Sequence, residues 1–378
     1  MSDEFMPPNR SWLADDLIAY CGGLAASLAE NALTGRLQGE LWVPLKAVPY
    51  GPSGEAARAD RVDSRSSQGP GPESERRAVP APRLLDQLAS RHDRVAVIGL
   101  PGSGKTEWLK RLAGQTARQV RQTLLRGEAL PDTTTIPVHL RLAELASALC
   151  QDGLRDLVRE ARGDDRTPAS LSSVDRVAAA IIRCLQESRP DGTWSPRLSR
   201  HLLSVLSAER PSDHAPALVC LDGWDETTRG EKDILRKHLP HWAARTTAKI
   251  RLASRPAAYL AGESVLCGGS GMRHELEIVP LTGEESRRIV RLFFESDEGK
   301  AGAVIDQLDT RPQITPFMQS PLLATLVCRI AETSDTIPDS RGKLYGAALD
   351  QLMTRWIRDN RPAAWAEVAG WLDKAPGR

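Results

Sequence analysis

Five short apolar runs recur along the middle of the chain, and they most limit what it can fold into. They are RVAVIGL from Arg94, TTIPVHLRL from Thr134, APALVCLD from Ala215, AKIRLASRP from Ala248 and HELEIVPL from His274. Helical stretches separate them, among them VDRVAAAIIRCLQES, SPRLSRHLLSVLSAE and EKDILRKHLPHWAART. Short, nearly continuous apolar strands alternating with helices predict an α/β fold, a parallel sheet covered on both faces. From Gly283 onward only helical patterns appear, EESRRIVRLFFES, AGAVIDQLD, PLLATLVCRIAET and LYGAALDQLMTRWIRD, so a boundary is expected near Thr282.

The expected organisation has four parts. Residues 1–50 form a short N-terminal helical and extended segment, in which SWLADDLIAYCGGLAASLAENAL has helical spacing with a break at Gly22-Gly23, and ELWVPLKAV is a short extended piece. Residues 51–82 are a flexible linker rich in Gly, Pro, Ser and Arg, which cannot bury enough apolar surface to offset the entropy of ordering. A helix, PRLLDQLASRH, opens a nucleotide-binding domain over 83–282, and a helical subdomain follows over 283–378.

Charge and cysteine usage exclude several function classes. Charged residues make up 26% of the 378 and balance to a formal +1, so no strong overall field draws the chain to nucleic acid or an anionic membrane. The 6 cysteines, Cys21, Cys150, Cys184, Cys220, Cys267 and Cys328, form no metal-ligand spacing and read as core filler. MSDEFMPPNR has acids where a signal peptide carries basic residues, and no apolar run is long enough to span a membrane. The chain is expected to be soluble, reduced and cytoplasmic.

GLPGSGKT, Gly99 to Thr106, fits G-x-x-x-x-G-K-[ST] and follows an expected strand and precedes an expected helix, EWLKRLAGQT. Backbone N–H groups of Gly99, Leu100, Pro101's neighbours, Gly102, Ser103 and Gly104, with the helix N-terminus through Glu107, make an anion cradle. Lys105 is assigned to the β- and γ-phosphates, and the Thr106 hydroxyl to Mg²⁺. The cradle supplies no carboxylate. LVCLDGWDET supplies three within five positions, immediately after a strand. Asp222 is the expected Mg²⁺ partner, direct or through water. Glu226 is the preferred base for the attacking water and Asp225 its assistant. Gly223 serves close backbone approach, and Trp224 reads as a packing residue.

Taken together, GLPGSGKT, LVCLDGWDE and RLASRP resemble the NACHT group of STAND P-loop NTPases, signalling ATPases that include animal inflammasome-type receptors and many bacterial defence and regulatory proteins. The D-G-x-D-E form is the most specific mark. The resemblance runs from about Arg83 to Trp356, with IPVHLRL matching the family's second strand and EIVPLTGEES the step into its helical subdomain. It implies a five-stranded sheet of order 5-1-4-3-2, with the AKIRLASRP strand between the P-loop strand and the Asp222 strand. It implies that Arg255 senses the γ-phosphate, against the alternative of a surface Arg in a turn closed by Pro256. It also implies that Pro321, in SPLLATL, packs on adenine, against the alternative of simple helix initiation.

ATP, with ADP in the resting state, and Mg²⁺ are the implied cofactors; ATP over GTP rests on the resemblance, since no NKxD motif is evident. The implied activity is slow ATP hydrolysis in a signal-transduction switch, in bacterial defence or regulation, with self-association in the ATP-bound state or a partner chain supplying effector or sensor. The other reading is a nucleotide-dependent interaction module with negligible turnover. A DNA-processing AAA+ ATPase shares such a sheet but wants a basic stripe, and RQVRQTLLR reads as the solvated side of a helix. The family's winged-helix and sensor regions do not fit into the residues after Trp356, so a minimal member, part of a split system or a remnant of a longer gene is expected.

Overall fold

The computed structural model describes residues 10–29, 42–50, 81–131, 134–163, 170–188, 194–207, 216–259, 274–334 and 336–360. Nearly all of the expected linker, Cys267 and the residues after 360 lie outside the described residues. The chain divides into two compact units, one of residues 1–39 and 44–279 and one of 40–43 and 280–378.

The first unit is a mixed α/β body built on seven strands: β1 (Lys46–Pro49), β2 (Arg83–Leu84), β3 (Arg94–Ile98), β4 (Ile136–Arg141), β5 (Ala217–Asp222), β6 (Lys249–Ser254) and β7 (His274–Ile278). They lie in the order β2-β1-β7-β3-β6-β5-β4. The whole sheet therefore departs from the expected five-stranded parallel one. Its parallel part comprises β7, β3, β6, β5 and β4, while β1 runs antiparallel to both β7 and β2. β1 overlaps the end of ELWVPLKAV, expected as a short extended piece, but nothing in the sequence announced that it joins the sheet; β2 was expected inside the helix PRLLDQLASRH, and two residues are too few to show a period of two. Pro49, which has no N–H to give, sits where β1 pairs with β7 alone, beyond the last residue paired with β2.

Burial explains the strand composition. Val95, Val97, Ile98, Val219, Cys220, Leu221, Ile250 and Leu252 are completely buried, as expected of strands covered on both faces. The helices of this unit are α1 (Arg10–Ser27), α2 (Leu85–Ala89), α3 (Lys105–Leu125), α4 (Leu142–Cys150), α5 (Leu154–Arg162), α6 (Ser173–Glu187), α7 (Pro196–Leu206) and α8 (Arg229–Arg245). Side-chain caps start several of them. Ser172 accepts from the Asp175 N–H, Ser195 accepts from the Leu198 N–H ahead of Pro196, and Thr228 with Glu231 forms a capping box.

Gly22 and Gly23 do not break α1, contrary to the expectation. α1 packs along α3, and a Cβ at Gly22 would lie 3.3 Å from Arg121 Nε. The glycine therefore serves close approach of two helices, which its sequence context did not distinguish from a break. Tyr20, buried on the same helix, donates its hydroxyl to the Pro137 carbonyl of β4 at 2.7 Å.

Only helices are described in the second unit from Pro280 on: α9 (Gly283–Phe293), α10 (Glu298–Asp309), α11 (Thr315–Met318), α12 (Pro321–Thr333) and α13 (Arg341–Asn360). α9 opens with a capping box between Thr282 and Glu285, and Ser286 Oγ ties it to the Met318 carbonyl at 2.6 Å. Gln351 of α13 donates to the Arg329 carbonyl of α12 at 3.3 Å. No helix among the described residues is long and apolar enough to cross a membrane.

His139 on β4 gives this fold a measurable pH response. Burial, and then the charges of Lys110 and Arg141, push it from 6.5 down to about 4, and its Nε2 is buried without a hydrogen-bond partner. The folded chain holds a neutral imidazole that the unfolded chain protonates more readily. The associated stability is present above pH 6.5 and is lost as the pH falls towards 4, by roughly 3 kcal/mol at most. Urea unfolding of His139→Gln should show a shallower loss between pH 6.5 and 4 than the parent. Parallel pH profiles would show that His139 does not carry this dependence.

Candidate functional site

Within the first unit, the loop from Gly99 to Gly104 joins β3 to α3. Gly102 and Gly104 have φ of 74° and 92°, left-handed values that favour glycine and that turn consecutive backbone N–H groups to one side. The Gly104 carbonyl accepts from the Trp108 N–H at 2.8 Å, starting the helix. Trp108, almost fully buried, fixes the first turn of α3 by donating Nε1 to Asp86 Oδ1 of α2 at 2.6 Å.

Lys105 Nζ folds back over the loop and donates to the Gly99 carbonyl at 2.7 Å and the Leu100 carbonyl at 3.0 Å. Burial draws this ammonium below its ordinary lysine value. Asp225, Asp222 and Glu226 oppose the shift and Arg255 adds to it. The lysine is therefore desolvated within reach of the field of all three carboxylates. Ser103 Oγ in the same loop is buried and has no hydrogen-bond partner, an uncompensated polar atom of the kind that a bound ligand satisfies.

β5 ends at Asp222. Burial raises its carboxyl above the ordinary value; a hydrogen bond from Thr106 counters this and the charge of Glu226 reinforces it. The Thr106 hydroxyl is thus close enough to favour the charged form of Asp222. Gly223 follows with φ of 79°, and Trp224–Glu226 form one 3₁₀ turn. Trp224 is 2% exposed and donates Nε1 to the Ala258 carbonyl at 3.2 Å. It packs, in keeping with its sequence reading. The turn leaves Asp225 against Arg255, Nε to Oδ2 at 2.7 Å, and folds the Glu226 side chain over Gly223.

The structure brings together Gly99, Leu100, Pro101, Gly102, Ser103, Gly104, Lys105, Thr106, Asp222, Asp225, Glu226 and Arg255 at the ends of β3, β5 and β6. Glu107, the third residue of α3, turns to Lys110 at 3.4 Å. Pro321 belongs to the second unit, where it occupies the first turn of α12, the position that simple helix initiation requires. Sequence reasoning missed the ties between the turn after β5 and the turn after β6, because Asp225 and Arg255 are separated by 30 residues and no local pattern announces their pairing. No protein-family model matches this chain, and no curated protein matches it significantly.

Among the described residues, no group of three or more His, Cys, Asp and Glu is arranged to hold a metal ion. Thr106 and Asp222 offer two hard oxygen donors. That fits Mg²⁺, which is usually held by one or two protein groups and completed by phosphate and water.

Gly223 carries the geometry of this end of β5. A Cβ there would meet Glu226 Oε2 at 3.1 Å on a backbone with positive φ. Gly223→Ala should cost about 1–2 kcal/mol in urea unfolding. A variant as stable as the parent would show that the turn is not held in this conformation.

Proposed function

We propose that this protein is a Mg²⁺-dependent P-loop ATPase that works as a nucleotide-controlled signalling switch of the NACHT and STAND type. The observation that carries the reading is Lys105, desolvated in a glycine-rich cradle within the field of Asp225, Asp222 and Glu226. A half-buried cation in the field of three carboxylates makes a charged cluster without a hydrophobic purpose, and a polyphosphate with its metal complements both signs. The unpartnered Ser103 Oγ supports a ligand at the same loop.

In this reading the loop N–H groups and Ser103 hold the phosphates, and Lys105 exchanges the Gly99 and Leu100 carbonyls for phosphate oxygens. Thr106 and Asp222 would hold Mg²⁺, which when bound would neutralise phosphate charge. Glu226 orients the attacking water and accepts its proton as the new bond to the terminal phosphorus forms and the bond to the bridging oxygen breaks. Trp224 and Gly223 keep this carboxylate at the strand end. Catalysis comes from positioning and charge stabilisation.

Phosphate release from ATP and Mg²⁺ by the full chain tests the assignment. Turnover is expected for the parent. Glu226→Gln should lose it by about 10²-fold or more, the usual contribution of a positioned acid–base group, while still being stabilised by ATP against heat. A Glu226→Gln variant as active as the parent removes Glu226 from the mechanism.

A further inference from the structure

One residue holds the Asp225 carboxylate at both oxygens. Arg255 Nε lies 2.7 Å from Oδ2, and the Arg255 backbone N–H donates to Oδ1 at 3.1 Å. The Asp225 side chain is 11% exposed and that of Arg255 50%. Both carboxylate oxygens are therefore already engaged, one in a charge-assisted pair. Helping a general base would require Asp225 to release Arg255.

The same pairing leaves most of the guanidinium available. Nε is the guanidinium atom paired with Asp225, and no hydrogen bond among the described residues engages either terminal NH₂ group, which together carry four of the five N–H donors. The backbone sets where that group starts from. Ile98 pairs with Ser254 in the parallel register of β3 and β6, and the Gly99 N–H donates to the Ser254 carbonyl at 3.2 Å. Arg255 therefore leaves the sheet beside the first residue of the glycine-rich loop, within charge range of Lys105. The turn that carries it is fixed at further points. Trp224 Nε1 reaches the Ala258 carbonyl, Ser254 Oγ donates to the Arg255 carbonyl at 3.1 Å, and the Tyr259 N–H donates to the same carbonyl at 3.1 Å.

We propose that Asp225 is a positioning residue for Arg255. By pairing with its Nε and accepting from its backbone N–H, Asp225 presents the terminal NH₂ edge of the guanidinium to the terminal phosphate of a nucleoside triphosphate, so that the site distinguishes triphosphate from diphosphate. The inference rests on the nucleotide reading above and gives Asp225 a different part in it. The loop amides and Lys105 bind the phosphates that ATP and ADP share. The Asp225 and Arg255 pair acts only on the one they do not share, through a group already oriented, which reduces the entropy lost per contact formed.

Calorimetric titration of the full chain with a non-hydrolysable ATP analogue and with ADP, each with Mg²⁺, tests this. The variants are Asp225→Ala, Arg255→Gln and the two combined. Each single variant should lose triphosphate affinity by roughly tenfold or more, as for a hydrogen bond to a charged group. ADP affinity should stay within about twofold, and the double variant should be no worse than Arg255→Gln, because the pair acts as a unit.

Losses that multiply in the double variant would show that Asp225 acts apart from Arg255 and overturn the proposal. So would an Asp225→Ala variant that keeps the parental preference for triphosphate, or one that loses both nucleotides equally. If Asp225→Ala does not fold, Asp225→Asn keeps the shape and carries the same test. A parent chain that binds neither nucleotide overturns the nucleotide reading itself. A parent that prefers triphosphate, with variants that keep the preference, overturns the clamp alone.

Discussion

The parallel pairing of β3 with β6 is the constraint on which the site depends. Because Ile98 faces Ser254 and the Gly99 N–H bonds to the Ser254 carbonyl, the glycine-rich loop and Arg255 leave the sheet as neighbours. The pairing of β6 with β5 extends the same edge to Asp222 and the 3₁₀ turn beyond it. Three segments far apart in sequence thus deliver their polar ends to one edge, while their apolar middles, such as Val97, Leu221 and Leu252, are sealed in the core. Slipping one strand by a residue would exchange buried and surface side chains along its length, so the core that stabilises the sheet also fixes the site's geometry.

Electrostatics at that edge is unfavourable in the protein alone. Burial weakens the charged form of both Lys105 and Asp222, and Glu226 adds repulsion to Asp222. The carbonyls of Gly99 and Leu100 satisfy Lys105 locally, Thr106 favours the charged form of Asp222, and Arg255 pairs with Asp225. Such strain in charge and solvation is concentrated at functional sites. The proposed function explains why the chain retains it: the proposed ligand brings both the anion and the cation that the cluster lacks.

The legible parts were those whose chemistry is contiguous. Gly99 to Thr106 and Asp222 to Glu226 each place all their atoms within eight residues, so spacing alone suggested their roles. The parallel strands were legible because burial on both faces forces runs such as RVAVI and ALVCL. β1 was legible as an extended piece but not as a member of the sheet, and β2 was not legible at all, since two residues show no period and the partners of both are distant. Gly22 could not be read either, because a glycine that admits Arg121 looks the same in sequence as one that ends a helix. The partnership of Asp225 with Arg255 escaped for a related reason: composition assigns a carboxylate a charge, and only the fold assigns it a partner.

Calorimetry of Mg²⁺-ATP binding to the full chain beside Lys105→Ala, repeated with the metal chelated, tests the central claim most directly. The account predicts a single site per chain that weakens on chelation and disappears, or nearly so, in the variant. Equal binding by parent and variant, or no binding by the parent with the metal present, would contradict it.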